Sequence, residues 1–388
     1  YSFEKTHQID TVLTNYSEIE IDNKSEDICS IAGRTIAKRG HGNPMFGNIT
    51  DESGSIQFYV NLNTLEEERY ELFRLLDIGD IIGLKGKPFR SKRGELSLFI
   101  EAFKLLAKSL PPLPEKFHGL QDKELRYRQR YVDLIANKEV RETFKTRSWA
   151  MLEIRSFLAK DNFMEVETPV LHSIYGGAAA KPFITHHNTL DQDLYLRIAL
   201  ELHLKRLVVG GFERIFEIGR VFRNEGISYK HNPEYTLLEL YQAYADYQDV
   251  MKLTENLISH LVKSKFGTYK ITYQEKEIDF TPPFTRITLK NALQEYAEED
   301  IDGDISNLQA KAESLGLEKQ ENPIKGELIN YIYDKLVEPK LIQPTFMIDY
   351  PWETSPLAKR KRDDKNLVER FELIINAMEI ANAFTELN

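Results

Sequence analysis

Phe222-Arg-Asn-Glu-Gly226 precedes His231-Asn-Pro-Glu-Tyr235, and an alternating run continues from there to residue 243. The alternation predicts a β-strand over 235–243, because successive strand side chains point to opposite faces. One face of that strand carries Glu239 between two tyrosines. Such a face either is exposed to solvent or lines a polar pocket, so the run predicts a sheet whose surface can bear a site.

The arginine and the glutamate of the first stretch are candidates for binding a ligand. On a strand, Arg223 and Glu225 would share a face. Arginine suits bidentate contacts with phosphate or carboxylate, and Glu225 could accept a hydrogen bond from an exocyclic amine. A surface ion pair is the alternative interpretation. The sequence contains neither a P-loop nor a dinucleotide-binding fingerprint after a strand, which disfavours the common nucleotide folds.

Composition places the chain among globular proteins. Of its 388 residues, 41% are hydrophobic and 29% are charged. These values exclude wholesale disorder and a collagen-like repeat, and no apolar run approaches the roughly 18 residues of a membrane-spanning helix. The formal net charge of −10 excludes a generally basic nucleic-acid coat, so RNA contact would depend on local patches. A single cysteine, Cys29, and an N-terminus unlike a signal peptide predict a reducing, cytoplasmic location.

Residues 27–107 predict a small β-barrel. Short apolar or alternating runs are separated by turn-forming clusters, and a helix-like segment, Thr64–Leu76, lies between them. The predicted strands are 28–36, 56–60, 81–85 and 96–100. Strands, one helix and further strands in about 80 residues are typical of a five-stranded oligonucleotide-binding (OB) barrel, while an SH3-like barrel stays open from the pattern alone.

Two basic clusters in this region could contact RNA or could be solvated loops. One comprises Arg34, Lys38 and Arg39. The other runs from Lys85 to Arg93 and has five cations in nine residues. An isolated run of this kind is more often a solvated loop.

A proline-rich segment, Leu110-Pro-Pro-Leu-Pro114, separates the barrel from a second region. That region begins with a helix predicted near 138–161 and continues as mixed helices and strands, with a helical insertion at about 250–340. The whole chain is therefore predicted to be α+β. We assign an N-terminal domain to 1–107, a linker to 108–135 and a C-terminal domain to 136–388.

Two further blocks carry signals of a site. Gly176-Gly177 could let the backbone approach a ligand closely, although paired glycines are usually a simple turn. Near the C-terminus, two strands joined at Asn376-Ala377 predict a hairpin that brings Glu372 and Glu379 opposite each other. Two adjacent carboxylates favour a cation between them, and carboxylates with phosphate oxygens are typical of Mg²⁺. A solvent-facing acidic hairpin is the alternative.

Together these blocks resemble the class II aminoacyl-tRNA synthetases, and among them the lysine-specific family, over nearly the whole chain. Phe163–Pro169 is similar to the end of the first class motif, which forms the dimer, and Phe222–Tyr235 is similar to the second. Gly176–Ala178, Pro182–Asn188 and Tyr244–Tyr247 favour the lysine enzymes over those for aspartate and asparagine. The resemblance implies an anticodon-binding OB barrel and a catalytic domain built on an antiparallel sheet.

The resemblance also implies a role for each site residue, with Arg223, Glu225 and His231 as the catalytic group. The ATP-binding residues would be Arg223, Glu225, His231, Asn232, Tyr235, Glu372 and Glu379, the last two holding Mg²⁺. The lysine-binding residues would be Gly177, Glu201, Arg223, Glu239, Tyr241, Asn382 and Glu386. In the barrel, an anticodon base would be bound by Arg39, Phe46, Gln57 and Glu95.

The implied activity is that of a lysine–tRNA ligase, a homodimer that uses ATP, Mg²⁺, L-lysine and tRNA(Lys) away from membranes. An aspartate or asparagine enzyme of the same subclass and a non-catalytic tRNA-binding fragment are the alternatives. The family's third motif would begin just beyond Asn388, so the resemblance implies a shortened chain with an incomplete ATP site. Departures from the family pattern are Leu200 for Pro, His203 for Tyr, Tyr235 for Phe and Ala377 for Gly.

Overall fold

The computed structural model describes residues 2–40, 43–111, 113, 120–228 and 231–387. Two compact units divide the chain, Tyr1–Lys145 and Thr146–Asn388. The domain boundaries drawn from the sequence stay a prediction, since compactness alone does not define a functional domain. None of the described helices is both long enough and apolar enough to cross a membrane.

A closed five-stranded barrel forms most of the first unit, as predicted. Its strands are β1 (Cys29–Arg39), β2 (Met45–Thr50), β3 (Ser55–Val60), β4 (Ile81–Arg90) and β5 (Leu96–Ala107). They follow the order β1-β2-β3-β5-β4, with β3 and β5 parallel. The sequence pattern misses β2, because its Gly47-Asn48 is typical of a turn. Gly47 is required there for close packing, since a Cβ atom would lie 2.2 Å from the ring of Phe58.

Five helices accompany the barrel strands or follow them. They are α1 (Ile9–Asn15), α2 (Glu67–Arg74), α3 (Lys123–Arg128), α4 (Arg130–Ala136) and α5 (Lys138–Lys160). The second lies within the predicted segment Thr64–Leu76 and buries Phe73, whose ring packs edge-on against Phe58 with centroids 5.6 Å apart. The last confirms the helix predicted near 138–161.

Three cations of the two basic clusters bind the barrel's own backbone. Lys38 donates to the carbonyl of Leu76 at 2.7 Å, and Arg34 donates to the carbonyl of Gly79 at 2.7 Å. Arg90 donates to backbone carbonyls of the segment that precedes β1. These three cations therefore satisfy buried or half-buried backbone groups, so neither a free RNA-binding patch nor a solvated loop describes them.

The second unit combines several sheets with surrounding helices. Its elements are β6 (Met164–Glu165), β7 (Leu171–His172), β8 (Ile184–His187), β9 (Gln192–Leu196), α6 (Glu201–Val209), β10 (Arg214–Phe222), β11 (Glu234–Gln242), α7 (Tyr247–Phe266), β12 (Lys270–Tyr273), β13 (Lys276–Asp279), β14 (Thr285–Thr288), α8 (Leu289–Ala297), α9 (Ile305–Ser314), α10 (Lys325–Ile332), β15 (Thr345–Pro351), β16 (Leu367–Ile374) and β17 (Glu379–Phe384). The sheet orders are β11-β10-β6, β7-β9-β8, β12-β13 and β14-β15-β16-β17.

The strands that bear the predicted site are antiparallel. β10 pairs with β11, and β16 pairs with β17. Parallel pairs occur where β6 joins β10 and where β14 joins β15. The predicted α+β class, with a barrel followed by a largely antiparallel second domain, is therefore confirmed.

The stretch 250–340 is less helical than predicted. It holds most of α7 and all of α8, α9 and α10, but it also contains three strands. Of these, β14 pairs in parallel with β15 and so belongs to the four-stranded sheet. Strands of four residues carry too few alternations to stand out from the surrounding helical pattern.

The predicted hairpin at Asn376-Ala377 is confirmed, but its register is not the predicted one. Both residues have positive φ, 50° and 58°, as a two-residue type I′ turn requires. Glu379 lies opposite Ile374, and an irregularity beside that pair then places Glu372 opposite Asn382. The prediction that Glu372 and Glu379 lie directly across from each other is therefore wrong. The two-residue turn already pairs Glu379 with Ile374, and the bulge moves the partner of Glu372 one residue further, from Ala381 to Asn382.

Candidate functional site

Three glutamates converge beside α6, and we call them the carboxylate pocket: Glu201, Glu239 and Glu386. Glu201 is the first residue of α6, Glu239 lies in β11 and Glu386 follows β17. The three carboxylates all act to raise the pKa of Tyr241, whose burial is the main cause of the increase. The fold therefore assembles from three separate elements the carboxylates that the sequence predicts as one site.

Glu239 is the most enclosed member of the carboxylate pocket. Its Oε1 atom accepts a hydrogen bond from the backbone N–H of Leu200 at 2.9 Å, and its Oε2 atom accepts one from the hydroxyl of Tyr241 at 3.3 Å. Burial raises the pKa of Glu239, and nearby Glu201 raises it further, while the Leu200 N–H opposes them. Burial and the neighbouring carboxylate thus disfavour its ionised form.

Gly177 lies against Glu201, as expected of a close backbone approach. Its φ is +88°, and a Cβ atom added to it would lie 3.0 Å from the Cβ atoms of Ala199 and Glu201. Only glycine combines this backbone conformation with such a contact. The paired glycines are therefore more than a simple turn.

A buried ion pair lies beside the pocket. Arg197 donates to Glu217 at 2.7 Å, and each side chain is 4% exposed. The hydroxyl of Thr168 donates to the second oxygen of Glu217 at 2.6 Å. Since Glu217 lies opposite Glu239 in the β10–β11 register, their side chains share a face of the sheet, and the ion pair holds the strand next to Glu239 in place. Breaking a buried pair of this kind is strongly destabilising, because one charge is left without a partner.

Arg223 lies in the loop that leaves β10, not on a strand. The strand ends at Phe222, so the prediction that Arg223 and Glu225 share a strand face is wrong. The backbone N–H of Arg223 donates to the carbonyl of Pro233 at 2.8 Å, and its guanidinium carbon lies 5.5 Å from the ring centre of Tyr235. The loop therefore folds back on β11 and carries Arg223 over the tyrosine.

The other predicted ATP-binding residues of this loop make local contacts. His231 Nδ1 lies 2.9 Å from the hydroxyl of Ser228, and the side-chain amide of Asn232 donates to the carbonyl of Glu234 at 2.9 Å. Glu225 is exposed. Burial raises the pKa of Tyr235, and the charges of nearby glutamates, Glu225 among them, add to the increase while Arg223 opposes it.

The hairpin carboxylates share one neighbourhood although they are not directly paired. Glu372 forms an ion pair with Arg370, which also donates to the amide oxygen of Asn382 at 3.2 Å. Partial desolvation raises the pKa of Glu379, and the charge of Glu372 raises it further. Among the described residues, no group of three or more His, Cys, Asp or Glu side chains is placed to hold a metal ion. A cation here would therefore need further oxygen ligands from a bound molecule.

In the barrel, four half-buried aromatic rings form what we call the stacking face: Phe46, Tyr59, Phe89 and Phe99. Phe46 and Tyr59 have ring centres 4.9 Å apart, and Tyr59 lies 5.4 Å from Phe99 and 5.7 Å from Phe89. The four rings come from β2, β3, β4 and β5. Aromatic surfaces on barrels of this kind are suited to stacking unpaired bases.

Polar groups border the stacking face. Gln57 donates to Glu95 at 2.9 Å and accepts from the buried hydroxyl of Ser97 at 3.0 Å. These bonds fix the orientation of the Gln57 amide. Arg39 is exposed at the end of β1 and lies opposite Phe46 in the β1–β2 register. The structure thus brings together the four residues predicted to hold one base.

Comparisons with known proteins identify both units. Residues 122–388 match the family of class II tRNA synthetases (D, K and N), and residues 29–106 match an OB-fold nucleic acid binding domain. A lysine–tRNA ligase of Thermoanaerobacter sp. (strain X514) is 53% identical over 100% of this chain and 77% of its own length. Those of Carboxydothermus hydrogenoformans and Pelotomaculum thermopropionicum are 54% and 55% identical over 100% of this chain and 78% and 76% of their lengths.

The chain belongs to the class II tRNA synthetases, in the lysine–tRNA ligase family. The OB match also settles the barrel type, which the sequence pattern left open against an SH3-like barrel.

Two departures from the family pattern acquire a structural meaning. Leu200, where the synthetases of this family usually have proline, donates its N–H to Glu239, and a proline would have no N–H to donate. His203, where tyrosine is common, packs against His172 with ring centres 4.5 Å apart. Burial is the first cause that lowers the pKa of each of these histidines, so their neutral forms are favoured.

Sequence reasoning missed several residues around the synthetase site. Arg197 and Glu217 have no local signal, since only the fold brings them together. Lys205 lies one helical turn after Glu201, a spacing typical of an ion pair, so this signal could have identified it. Ser97, which holds Gln57, looks like any other strand serine.

Proposed function

We propose that the protein activates L-lysine with ATP and transfers the lysyl group to tRNA(Lys). In the first step the lysine carboxylate attacks the α-phosphorus of ATP, giving lysyl-adenylate and pyrophosphate. In the second step a hydroxyl of the terminal ribose of the tRNA attacks the lysyl carbonyl, and AMP leaves. The carboxylate pocket beside Arg223 is the observation that carries the proposal.

Charge complementarity supports lysine as the amino acid. Lysine brings an α-ammonium and an ε-ammonium, and the carboxylate pocket offers Glu201 to the first and Glu239 with Glu386 to the second. A buried ammonium requires carboxylate partners, because an unpaired buried charge costs several kcal/mol. Gly177 would let the α-ammonium approach the backbone, while Tyr241 and Asn382 would border the pocket. The carboxylate of lysine would meet Arg223.

The loop between β10 and β11 supports binding of ATP. Arg223 would contact the α-phosphate as well as the lysine carboxylate, so one guanidinium would align the two reacting groups. Glu225 would read the adenine amine and Tyr235 would stack on the ring. His231 and Asn232 would contact the phosphates and the adenosine. Positioning and charge stabilisation dominate such a transfer, so no nucleophilic side chain is needed.

The donor set of Glu372 and Glu379 fits Mg²⁺ held jointly with ATP. A cation beside these carboxylates would relieve the repulsion that raises the pKa of Glu379. Two carboxylates are too few for an all-protein cage, which suits an ion that shares its coordination with phosphate oxygens. An Mg²⁺ ion bound there would neutralise part of the charge of the triphosphate. Arg370 would hold Glu372 in place through their ion pair.

The barrel supports recognition of an anticodon base. Phe46 would stack on the base, and its edge would meet Arg39, Gln57 and Glu95. Unpaired RNA bases are recognised in this way by aromatic faces and polar edges. The amide of Gln57 is already oriented by Glu95 and Ser97, so little ordering is left for the moment of binding.

Exposed apolar side chains support a homodimer that involves the segment after α5. Val170, Leu171 and Ile174 are 40%, 47% and 75% exposed, and Leu152 on α5 is 67% exposed. A cluster of this kind commonly marks an interface. We expect a two-fold interface burying more than about 2,000 Å² in total, and sedimentation velocity at micromolar concentration measures it. We also propose that the protein is located in the cytoplasm.

Amino-acid-dependent pyrophosphate exchange, with each of the twenty amino acids, tests the proposed function. Lysine should support exchange far better than arginine, aspartate or asparagine. An aspartate or asparagine enzyme would need cationic or amide partners in the pocket, whereas this pocket is anionic. A non-catalytic tRNA-binding protein would give no exchange with any amino acid while still binding tRNA. Exchange that depends on aspartate or asparagine instead of lysine would overturn the proposal. Exchange with no amino acid at all would overturn it too.

A further inference from the structure

The ammonium of Lys205 lies inside the carboxylate pocket. Its Nζ atom is 2.7 Å from Oε1 of Glu201 and 2.9 Å from Oε2 of Glu386. It also lies 6.0 Å from the ring centre of Tyr241. Lys205 follows Glu201 by one turn of α6, so the helix itself delivers the ammonium to this place. A group belonging to the chain thus already contacts two of the carboxylates proposed for the substrate.

A charge count shows what this ammonium changes. Three ionised carboxylates carry three negative charges, whereas lysine brings two ammonium groups because its own carboxylate meets Arg223. With Lys205 included, the pocket and the two substrate ammonium groups balance. Without it, one carboxylate would stay uncompensated in a partly desolvated site, which favours its protonation.

The hydrogen bonds leave room for both cations. Lys205 uses one oxygen of Glu201 and one oxygen of Glu386. Within the described part of the chain, the second oxygen of Glu201 and the second oxygen of Glu386 have no hydrogen bond. A carboxylate accepts several hydrogen bonds, so a substrate ammonium can bind the second oxygen without removing Lys205.

We propose that Lys205 is a positioning residue for amino-acid recognition: it orients Glu201 and Glu386 and balances the charge of the pocket, and it stays in place when lysine binds. The inference rests on the proposed function. Burial alone would lower the pKa of Lys205, but the hydrogen bonds that its ammonium donates to Glu201 and Glu386 raise it overall, so Lys205 remains charged. At Glu386 burial raises the pKa and Lys205 lowers it.

Steady-state pyrophosphate exchange by the full-length protein, with Lys205→Met and Lys205→Arg, tests the inference. Lys205→Met keeps most of the aliphatic stem but removes the charge. We expect it to raise the KM for lysine about 10–100-fold, the size of effect that follows from losing a hydrogen bond to a charged group. The KM for ATP and the kcat should change by less than about threefold, since Lys205 touches neither reacting atom. Lys205→Arg should recover most of the lost affinity, because a guanidinium can contact both carboxylates.

Lys145→Met is the matched control, because Lys145 forms an ion pair with Glu142 through half-exposed side chains. It should leave all three parameters unchanged. An unchanged lysine KM in Lys205→Met would overturn the inference. A lowered lysine KM would overturn it too, since Lys205 would then be a competitor that lysine has to displace. Equal losses for lysine and ATP, together with a lower melting temperature, would assign Lys205 a structural role instead.

The test separates this inference from the proposed function. If the wild-type protein shows no lysine-dependent exchange, the proposed function fails whatever the variants do. If the wild-type protein exchanges with lysine but Lys205→Met has a normal lysine KM, only the role of Lys205 fails. Should Lys205→Met not fold, Lys205→Gln carries the same expectation and the same contrary outcomes.

Discussion

The stacking face of the barrel and the carboxylate pocket recognise their ligands by opposite means. The stacking face is made of neutral rings already packed on one another, with Phe46 and Tyr59 4.9 Å apart. At its border, Gln57 is already hydrogen-bonded to Glu95 and Ser97. The carboxylate pocket gathers like charges, and burial raises the pKa of both Glu239 and Glu386. The stacking face is therefore stable without its ligand, whereas the carboxylate pocket is stabilised when a cationic ligand binds.

This difference determines how each region should respond to mutation. Removing a ring from the stacking face takes away contact area, so the loss should be moderate and confined to the nucleic acid. Removing a charge from the carboxylate pocket takes away the partner of a buried cation, which is a larger effect. It also removes repulsion from the empty pocket, so stability and activity should move in different directions.

The largest expected effect is that of Glu239→Gln. The amide keeps the shape and can still accept from Leu200, but it cannot pair with an ammonium. We expect a loss of roughly 2–4 kcal/mol in lysine recognition, or about 30- to 1,000-fold in kcat/KM. Pyrophosphate exchange at varied lysine concentration measures it. Glu213→Gln, at an exposed position just before β10, should leave exchange unchanged. Normal lysine kinetics in Glu239→Gln would mean that the pocket is elsewhere.

The same variant should not lower the stability of the ligand-free protein. Because burial raises the pKa of Glu239 in the folded state, this group stabilises the fold below its unfolded pKa and that contribution disappears as the pH rises through its folded pKa. As the pH rises above 4.5, the ordinary pKa of a glutamate, wild-type protein should therefore lose stability relative to Glu239→Gln, and measurements at pH 5 and pH 8 compare the two proteins. Urea denaturation at both pH values measures the difference. A variant that is less stable at pH 8 would contradict the repulsion argument.

The two regions also differ in how well the sequence predicts them. Strand alternation and one helix are enough to predict the barrel, apart from β2, whose Gly47-Asn48 looks like a turn. The pocket could not be predicted from spacing, because Glu201, Glu239 and Glu386 are far apart in the chain. Only resemblance to a family connects them. A neutral face is a local property of strands, whereas a charged pocket is a property of the whole topology.

Strand register and loop geometry are also difficult to predict from the sequence. The turn at Asn376-Ala377 is predictable from residue type, yet the bulge that places Glu372 opposite Asn382 is not, since nothing local distinguishes the extra residue. The sequence analysis places Arg223 and Glu225 on one strand face, but β10 ends at Phe222. The strand ends there because Arg223 donates to the carbonyl of Pro233, the next position of the β10–β11 register, and a proline has no N–H to return the bond.

Phe46→Ala should have the next largest effect. It should weaken tRNA binding by the barrel and leave lysine activation unaffected. Base stacking is worth about 1–3 kcal/mol per base, so tRNA affinity should fall about 5- to 150-fold. Lysine-dependent exchange should stay nearly unchanged. Filter binding with tRNA(Lys) and pyrophosphate exchange measure the two quantities. The control is Leu105→Ala, a 43% exposed position on β5 outside the stacking face. Equal losses in both assays would show that Phe46 supports the fold and not the ligand.

Leu200→Pro should have a smaller effect on the pocket. It removes the N–H that donates to Glu239 at 2.9 Å and leaves the carboxylate in place. The φ of Leu200 is −94°, close enough to the proline range for the start of a helix. Losing this hydrogen bond should raise the pKa of Glu239 and weaken lysine binding by about 1 kcal/mol, or about fivefold. Leu200→Ala keeps the N–H and is the control, and a larger loss in Leu200→Ala than in Leu200→Pro would assign the effect to packing.

The smallest expected effect concerns the turn that connects the strands of Glu372 and Glu379. Ala377 has a φ of 58°, and Ile375 and Met378 exchange backbone hydrogen bonds of 3.0 and 3.1 Å around it. An alanine in the left-handed region is strained, whereas glycine is not, although glycine loses more entropy on folding. The net gain of Ala377→Gly should be about 0.5–1 kcal/mol in the free energy of unfolding, with lysine and ATP kinetics unchanged. Urea denaturation measures it, and Ala381→Gly, within β17, should instead destabilise the protein. If Ala377→Gly were destabilising as well, backbone strain in the turn would be too small to matter, and the departure at this position would need another explanation.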